Sequence, residues 1–188
     1  MQTLIINTQS EKDERIIWCE NNISTETNNL QYEILNGKLI IHGNIIIPDG
    51  IGELGVKIDE VYGNIYLENT LTNTKGYFTS LKNFPDVVHG SVNISMNPNI
   101  KSFKGCPRKI EGFFKCNACG FTSTDYISEY IGGKLILYNN PINDIKNLTK
   151  IYVNGMIDID FIKVRPTDET YKKLLENHKI KACTDSWV

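Results

Sequence analysis

Little in this chain points to a membrane, a secretory route or an oxidising exterior. Aliphatic runs stop at three residues, as in Leu4-Ile5-Ile6 and Ile45-Ile46-Ile47. A bilayer span needs roughly 20 apolar residues. A secretory leader needs an apolar stretch of about 7–15 behind a basic start. Leu4-Ile5-Ile6 is instead followed by Glu11, Lys12, Asp13, Glu14 and Arg15. The expectation is a soluble, cytoplasmic protein with no membrane partner. Cysteine is scarce and odd in number, five in 188 residues, which excludes a closed disulfide framework as the organising feature. Positive charge is not in excess. The formal net charge of −2 argues against a general nucleic-acid or membrane-surface binder.

Catalytic signatures are missing as well. There is no Gly-x-Ser-x-Gly elbow, no phosphate-cradling Gly-x-x-x-x-Gly-Lys-[Ser/Thr] and no dinucleotide fingerprint. The three histidines, His42, His89 and His178, share no spacing. A catalytic histidine needs an orienting carboxylate and a nucleophile nearby, so these read as surface histidines. The expectation is a protein without enzymatic activity and without a cofactor.

What is present is a repeat. Glycines at 37, 63, 90, 112, 133 and 155 are spaced by 26, 27, 22, 21 and 22 residues, within the 20–29-residue range of leucine-rich repeats. Two and four residues after each glycine stand Leu39/Ile41, Ile65/Leu67, Val92/Ile94, Phe114/Cys116, Leu135/Leu137 and Ile157/Ile159. Apolar residues alternating with polar ones mark a short strand with one buried face. Seven residues on are Asn44, Thr70, Asn97, Cys119, Asn140 and Ile162. This follows the Leu-x-Leu-x-x-Asn/Cys phrase. An Asn at that place can satisfy backbone groups where the strand turns. The recurring glycine implies either positive φ or close approach of the neighbouring coil.

One such strand cannot bury its apolar face alone, whereas stacked copies share a continuous core. The fold class expected is a β-rich, leucine-rich-repeat-like solenoid with one parallel sheet of short strands and helical caps at both ends. Residues 1–188 form a single domain. Within it, 1–30 are the N-terminal cap, 31–165 the solenoid and 166–188 the C-terminal cap. Ser10 is the expected N-cap of a helix to about Asn21 that buries Ile16, Ile17 and Trp18. Pro166-Thr167-Asp168-Glu169 opens a second helix with Leu174 and Leu175 facing in. The returns, such as Thr72–Gly76 and Thr122–Asp125, read as turns, with one helical turn expected over 124–130.

The segment Ser102-Phe103-Lys104-Gly105-Cys106-Pro107, followed by Ile110-Glu111-Gly112-Phe113-Phe114-Lys115-Cys116, resembles a repeat found in accessory proteins of tailed bacteriophages. Ser80-Leu81-Lys82-Asn83-Phe84-Pro85 with Val88-His89-Gly90-Ser91-Val92 is a looser copy. The lead-in from Trp18 and the segment Gly37–Pro48 are also similar to that family. The resemblance covers roughly residues 14 to 165. Cys119 departs from the family's usual Asn, and the last repeats lack Gly-Cys-Pro. The resemblance implies a repeat fold, no catalytic residues to carry over, and a host protein, including a defence protein, as the partner in the host cytoplasm.

Three surfaces compete as sites. Residues one and three after each glycine should line the outer face of the sheet, the usual binding face of such repeats. Tyr66, Phe113, Lys115, Ile136, Tyr138 and Met156 are its candidates for partner binding, because aromatic anchors amid polar residues suit a protein interface. A second copy of the chain could also cover that face. Lys101, Lys104, Arg108, Lys109 and Lys115 form a basic cluster that would serve a nucleic-acid or phosphate ligand. Cys116-Asn117-Ala118-Cys119 has the spacing of half a metal site and would centre a metal-dependent enzyme. It lacks two ligands, and the repeat register already explains both cysteines as core residues.

Overall fold

The structure, a computed structural model, describes residues 12–26, 29–48, 50–67, 78–160, 168–177 and 179–182. It is a β-solenoid of about five turns built on two sheets that are parallel except at one end, where the first strand of each pairs antiparallel with its neighbour. The first sheet contains β1 (Ser24–Thr25), β4 (Ile45–Ile47), β6 (Ile65–Leu67), β8 (Val92–Asn93), β10 (Phe114–Lys115), β12 (Leu135–Ile136), β14 (Met156–Ile159) and β15 (Lys179–Ala182), stacked in that order. The second contains β2 (Gln31–Leu35), β3 (Lys38–His42), β5 (Glu60–Tyr62), β7 (Val87–Val88), β9 (Lys109–Ile110), β11 (Tyr130–Ile131) and β13 (Tyr152–Val153). The expectation of a single sheet is therefore corrected: each coil contributes two short strands joined at a corner. The reason is visible at the corner itself. Two residues before each corner glycine an aliphatic side chain, Ile41, Val61, Val88, Ile110, Ile131 or Val153, also turns into the core.

The register of the first coil is also corrected. β4 pairs with β6 through Ile45–Ile65 and Ile47–Leu67, so the corner glycine of the first coil is Gly43, not Gly37. Leu39 and Ile41 belong to the second sheet. Gly37 lies in the hairpin between β2 and β3, where Asn36 and Gly37 both have positive φ, 53° and 78°. Asn44 accordingly sits at the corner and not at the inward Asn position.

The corner glycines are required by close approach. A Cβ on Gly63 would lie 2.1 Å from the carbonyl oxygen of Gly43, and one on Gly133 would lie 2.9 Å from the carbonyl carbon of Gly112. The corners also bond to one another: Gly112 donates to the Gly90 carbonyl at 2.8 Å and Gly133 to the Gly112 carbonyl at 2.8 Å. Beside them runs a side-chain ladder. Asn44 Oδ1 accepts from the Asn64 backbone N–H, Asn64 Oδ1 from that of Ser91, and Ser91 Oγ from that of Phe113.

Inside, Ile45, Ile65, Val92, Phe114, Leu135 and Ile157 form one buried row across the first sheet. Phe103 stacks on Phe121 at 3.7 Å between centroids. The turns after the first sheet hold Met96, Ala118 and Asn139 in left-handed conformation, at φ 63°, 53° and 59°. The opposite corner repeats the device with Asn83, Gly105 and Tyr126. There Ser80, Ser102, Ser123 and Asp144 each accept a bond from the backbone two residues on. The expected helical turn over 124–130 is replaced by this turn. A 3-10 turn occurs instead at Lys146–Thr149.

Helix α1 runs Glu14–Asn22, with Asp13 as N-cap accepting from the Arg15 N–H at 2.9 Å; Ser10 lies outside the described residues. The Asp13 carboxylate also binds the Arg15 guanidinium. Ile16 and Cys19 enter the core and Trp18 is half-buried, but Ile17 is exposed, one residue off the buried face of the helix. Helix α2 runs Asp168–Asn177 and buries Leu174. The start at Pro166-Thr167, the return Thr72–Gly76 and His178 lie outside the described residues, as does the side chain of Leu175.

Candidate functional site

The first sheet brings the expected binding residues onto one side. Tyr66, Asn93, Lys115, Ile136 and Asp158 occupy a single in-register row. Phe113 and Met156 stand one residue ahead of β10 and at the start of β14, two positions before Lys115 and Asp158 on the same outward parity. Tyr138 follows two residues after Ile136. Strand alternation sends all six away from the buried row. Phe113 is 38% exposed, and the other five are half-buried. The face is thus semi-apolar, with Lys115 and Asp158 in its central row and Lys134 and Asp160 on the same parity beside it.

The basic cluster does not assemble. Lys101 and Lys104 lie on the return between the sheets, Lys109 on the second sheet and Lys115 on the first. Lys109 is bonded to Glu111 at 2.8 Å and Arg108 lies 3.8 Å from Glu129. Proximity in sequence becomes separation in space because the chain turns two corners between residues 101 and 115.

Cys116 and Cys119 sit in the core. Cys116 occupies the inward row beyond Phe114, and Cys119 takes the place that Asn97 and Asn140 hold in neighbouring coils. Burial pushes the Cys119 thiol up to about 12 and that of Cys116 well above its ordinary value. Cys19 and Cys106 are likewise raised to about 12 by burial. A thiol that does not ionise is a poor nucleophile and a poor metal ligand. Among the described residues no group of three His, Cys, Asp or Glu side chains is placed to hold a metal ion.

The second sheet carries a ladder that the repeat phrase did not reveal. Tyr62 is stacked between His89, 4.0 Å away, and His42, 5.3 Å away. His89 lies between two carboxylates, with Nε2 2.5 Å from Glu60 and Nδ1 3.2 Å from Glu111. His42 lies 3.2 Å from Glu33. Farther along, Lys109 sits over the Tyr130 ring, which stacks on Tyr152 at 5.0 Å. The Lys109 ammonium, with His89 beside it, holds the Glu111 carboxyl below its usual range. The charge of Glu60, with Glu33 and Glu111, raises the Tyr62 phenol. A signal for this ladder does exist in the sequence: His42, Tyr62, His89 and Glu111 each stand immediately before a corner glycine.

No protein-family model, curated protein or solved structure matches the chain. Among the described residues no helix is long and apolar enough to cross a membrane.

Proposed function

We propose that the chain is a non-enzymatic, protein-binding module that docks on a partner protein through the outer face of its first sheet, its two helices closing the ends of the solenoid. One observation carries this reading: Tyr66, Lys115 and Ile136, far apart in sequence, stand in one row, with Phe113, Met156 and Tyr138 on the same parity beside it. A rigid parallel sheet presents these side chains with little ordering left to do on binding. Large aromatic and aliphatic side chains amid polar ones are the composition of binding hot spots. The resemblance to tailed-phage accessory repeats makes a host protein in the cytoplasm the partner.

The second sheet's aromatic residues fit a structural role better. The two faces of Tyr62 are covered by His42 and His89, so the ladder ties adjacent coils together. The test is a double variant, Tyr66→Asp with Phe113→Asp, used as bait in host lysate beside the wild-type chain, with circular dichroism confirming the fold. A specific partner retained by the wild type and lost by the variant supports the reading. Unchanged capture by the variant removes this face from consideration.

A further inference from the structure

The N-terminal hairpin leaves a long sheet edge open. Positive φ at both Asn36 and Gly37 is the mark of a two-residue type I′ turn, which makes Leu35 and Lys38 a hydrogen-bonded pair. Bonded and non-bonded pairs alternate in an antiparallel ladder, so Glu33–Ile40 and Gln31–His42 are bonded too. The opposite edge of β3 agrees. Leu39 donates to Asp59 Oδ2 at 2.8 Å and accepts from the Asp59 N–H at 2.9 Å. Leu39 therefore faces β5, and its neighbours Lys38 and Ile40 face β2. It follows that the N–H and C=O groups of Tyr32 and Ile34 point away from β3. β2 is the last strand of its sheet, and among the described residues no strand pairs beyond it.

Of the devices that usually blunt such an edge, β2 itself carries only one charge, Glu33. It is five residues long and contains no Pro or Lys, and Ile34 and Leu35 are 43% and 54% exposed. We propose that the free edge of β2 receives an extended segment of a partner protein as an added antiparallel strand, with a lysine or arginine opposite Glu33 and an apolar residue on each side of it. The backbone groups of Tyr32 and Ile34 supply the main-chain bonds of such an addition. Residues opposite them fall on the same side of the sheet as Ile34 and cover it. The residue opposite Glu33 falls on the outer side, beside that carboxylate. A second copy of this chain fits badly in the register that bonds both outward residues of each copy to one another. Bonding Tyr32 of one copy to Ile34 of the other sets Glu33 directly against its own counterpart, and opposed like charges destabilise a strand pair. The inference concerns a backbone edge, so it stands or falls separately from docking through the first sheet.

The test titrates two peptides, acetyl-Thr-Val-Lys-Val-Thr-amide and its Glu-centred counterpart, into the isotopically labelled full chain by NMR. In the free chain, the amides of Tyr32 and Ile34 should exchange rapidly while that of Glu33 is protected. The Lys peptide should shift residues 32–34 saturably and protect the two fast amides. The Glu peptide should bind at least about fivefold more weakly. Ile34→Pro removes an outward N–H that the fold does not use, and it should abolish binding with the chain still folded. Tyr66→Asp with Phe113→Asp should leave peptide binding unchanged. Protection of Tyr32 and Ile34 in the free chain would overturn the proposal, because the chain's own residues or a second copy then cover the edge. So would equal binding of the two peptides, no binding, or binding that survives Ile34→Pro.

Discussion

The thiol of Cys119 donates to the carbonyl oxygen of Ile94 at 3.2 Å. One coil later, Asn140 Nδ2 donates to the equivalent carbonyl of Cys116 at 2.8 Å and also to Leu137 of its own coil at 2.7 Å. Asn97 likewise reaches its own-coil carbonyl, Ile94, at 3.0 Å. A thiol has a single weak donor where an amide has two, so Cys119 makes only one of the two bonds available at that place. Cys119→Asn should therefore hold or raise stability, by up to about 1 kcal/mol, and Cys119→Ala should lower it by about 1–2 kcal/mol. Urea unfolding midpoints of the two variants decide the point.

The corner glycines give a second contrast. Gly133→Ala places a methyl group against the backbone of Gly112, which cannot move without breaking the coil-to-coil bond between the two. A loss of about 3 kcal/mol or more is expected. Gly37→Ala meets nothing within 4 Å but must hold φ +78°, so its cost should be nearer 1 kcal/mol. Chemical denaturation of the pair separates close approach from backbone conformation.

Ala118 occupies a left-handed position, φ 53°, that Asn139 fills one coil later. A residue with a Cβ is strained there by roughly 1 kcal/mol. Ala118→Gly should raise stability by up to about 0.5 kcal/mol, read as a higher unfolding midpoint, the strain relief being partly offset by the freer unfolded chain. A midpoint that falls would show that the Ala118 methyl contributes packing that outweighs the strain.

The buried thiols set the alkaline limit. Burial raises Cys19, Cys106 and Cys119 to about 12, whereas an unfolded cysteine titrates near 8.5. A group whose folded pKa is raised contributes stability that is complete below the unfolded value and is lost as pH rises toward the folded one. Stability should therefore decline from about pH 8.5 upward, and replacing Cys106 by Ser should reduce the slope. At pH 8 the buried thiols of Cys19, Cys116 and Cys119 should react with a disulfide reagent only after unfolding. Rapid labelling of the native chain at Cys116 or Cys119 would contradict their place in the core.

Much of the solenoid is legible in the residues alone. The glycines at 63, 90, 112, 133 and 155, the inward pairs that follow them, and the Asn97, Cys119 and Asn140 positions all keep their expected places. Each depends only on local alternation and on a repeat length that stacking then preserves. The first coil was not legible, because Gly37 and Gly43 both precede alternating aliphatics. Only the pairing of Ile45 with Ile65 selects Gly43. The second sheet was hidden for a related reason: beyond β2 and β3 its strands are two or three residues long, too short for alternation to show. Their single inward residues, from Val61 to Val153, become a row with Ile41 only when the coils are stacked. The basic cluster and the His42–Tyr62–His89 ladder are opposite cases of the same effect.

The glycine period thus determined a repeat protein with Cys116 and Cys119 in the core, because strand periodicity and stacking follow from local chemistry. Which residues meet across coils, and so which surfaces and which strand edge are presented, was decided by the tertiary structure. Those contacts depend on the corner geometry that places residues some 20 positions apart side by side.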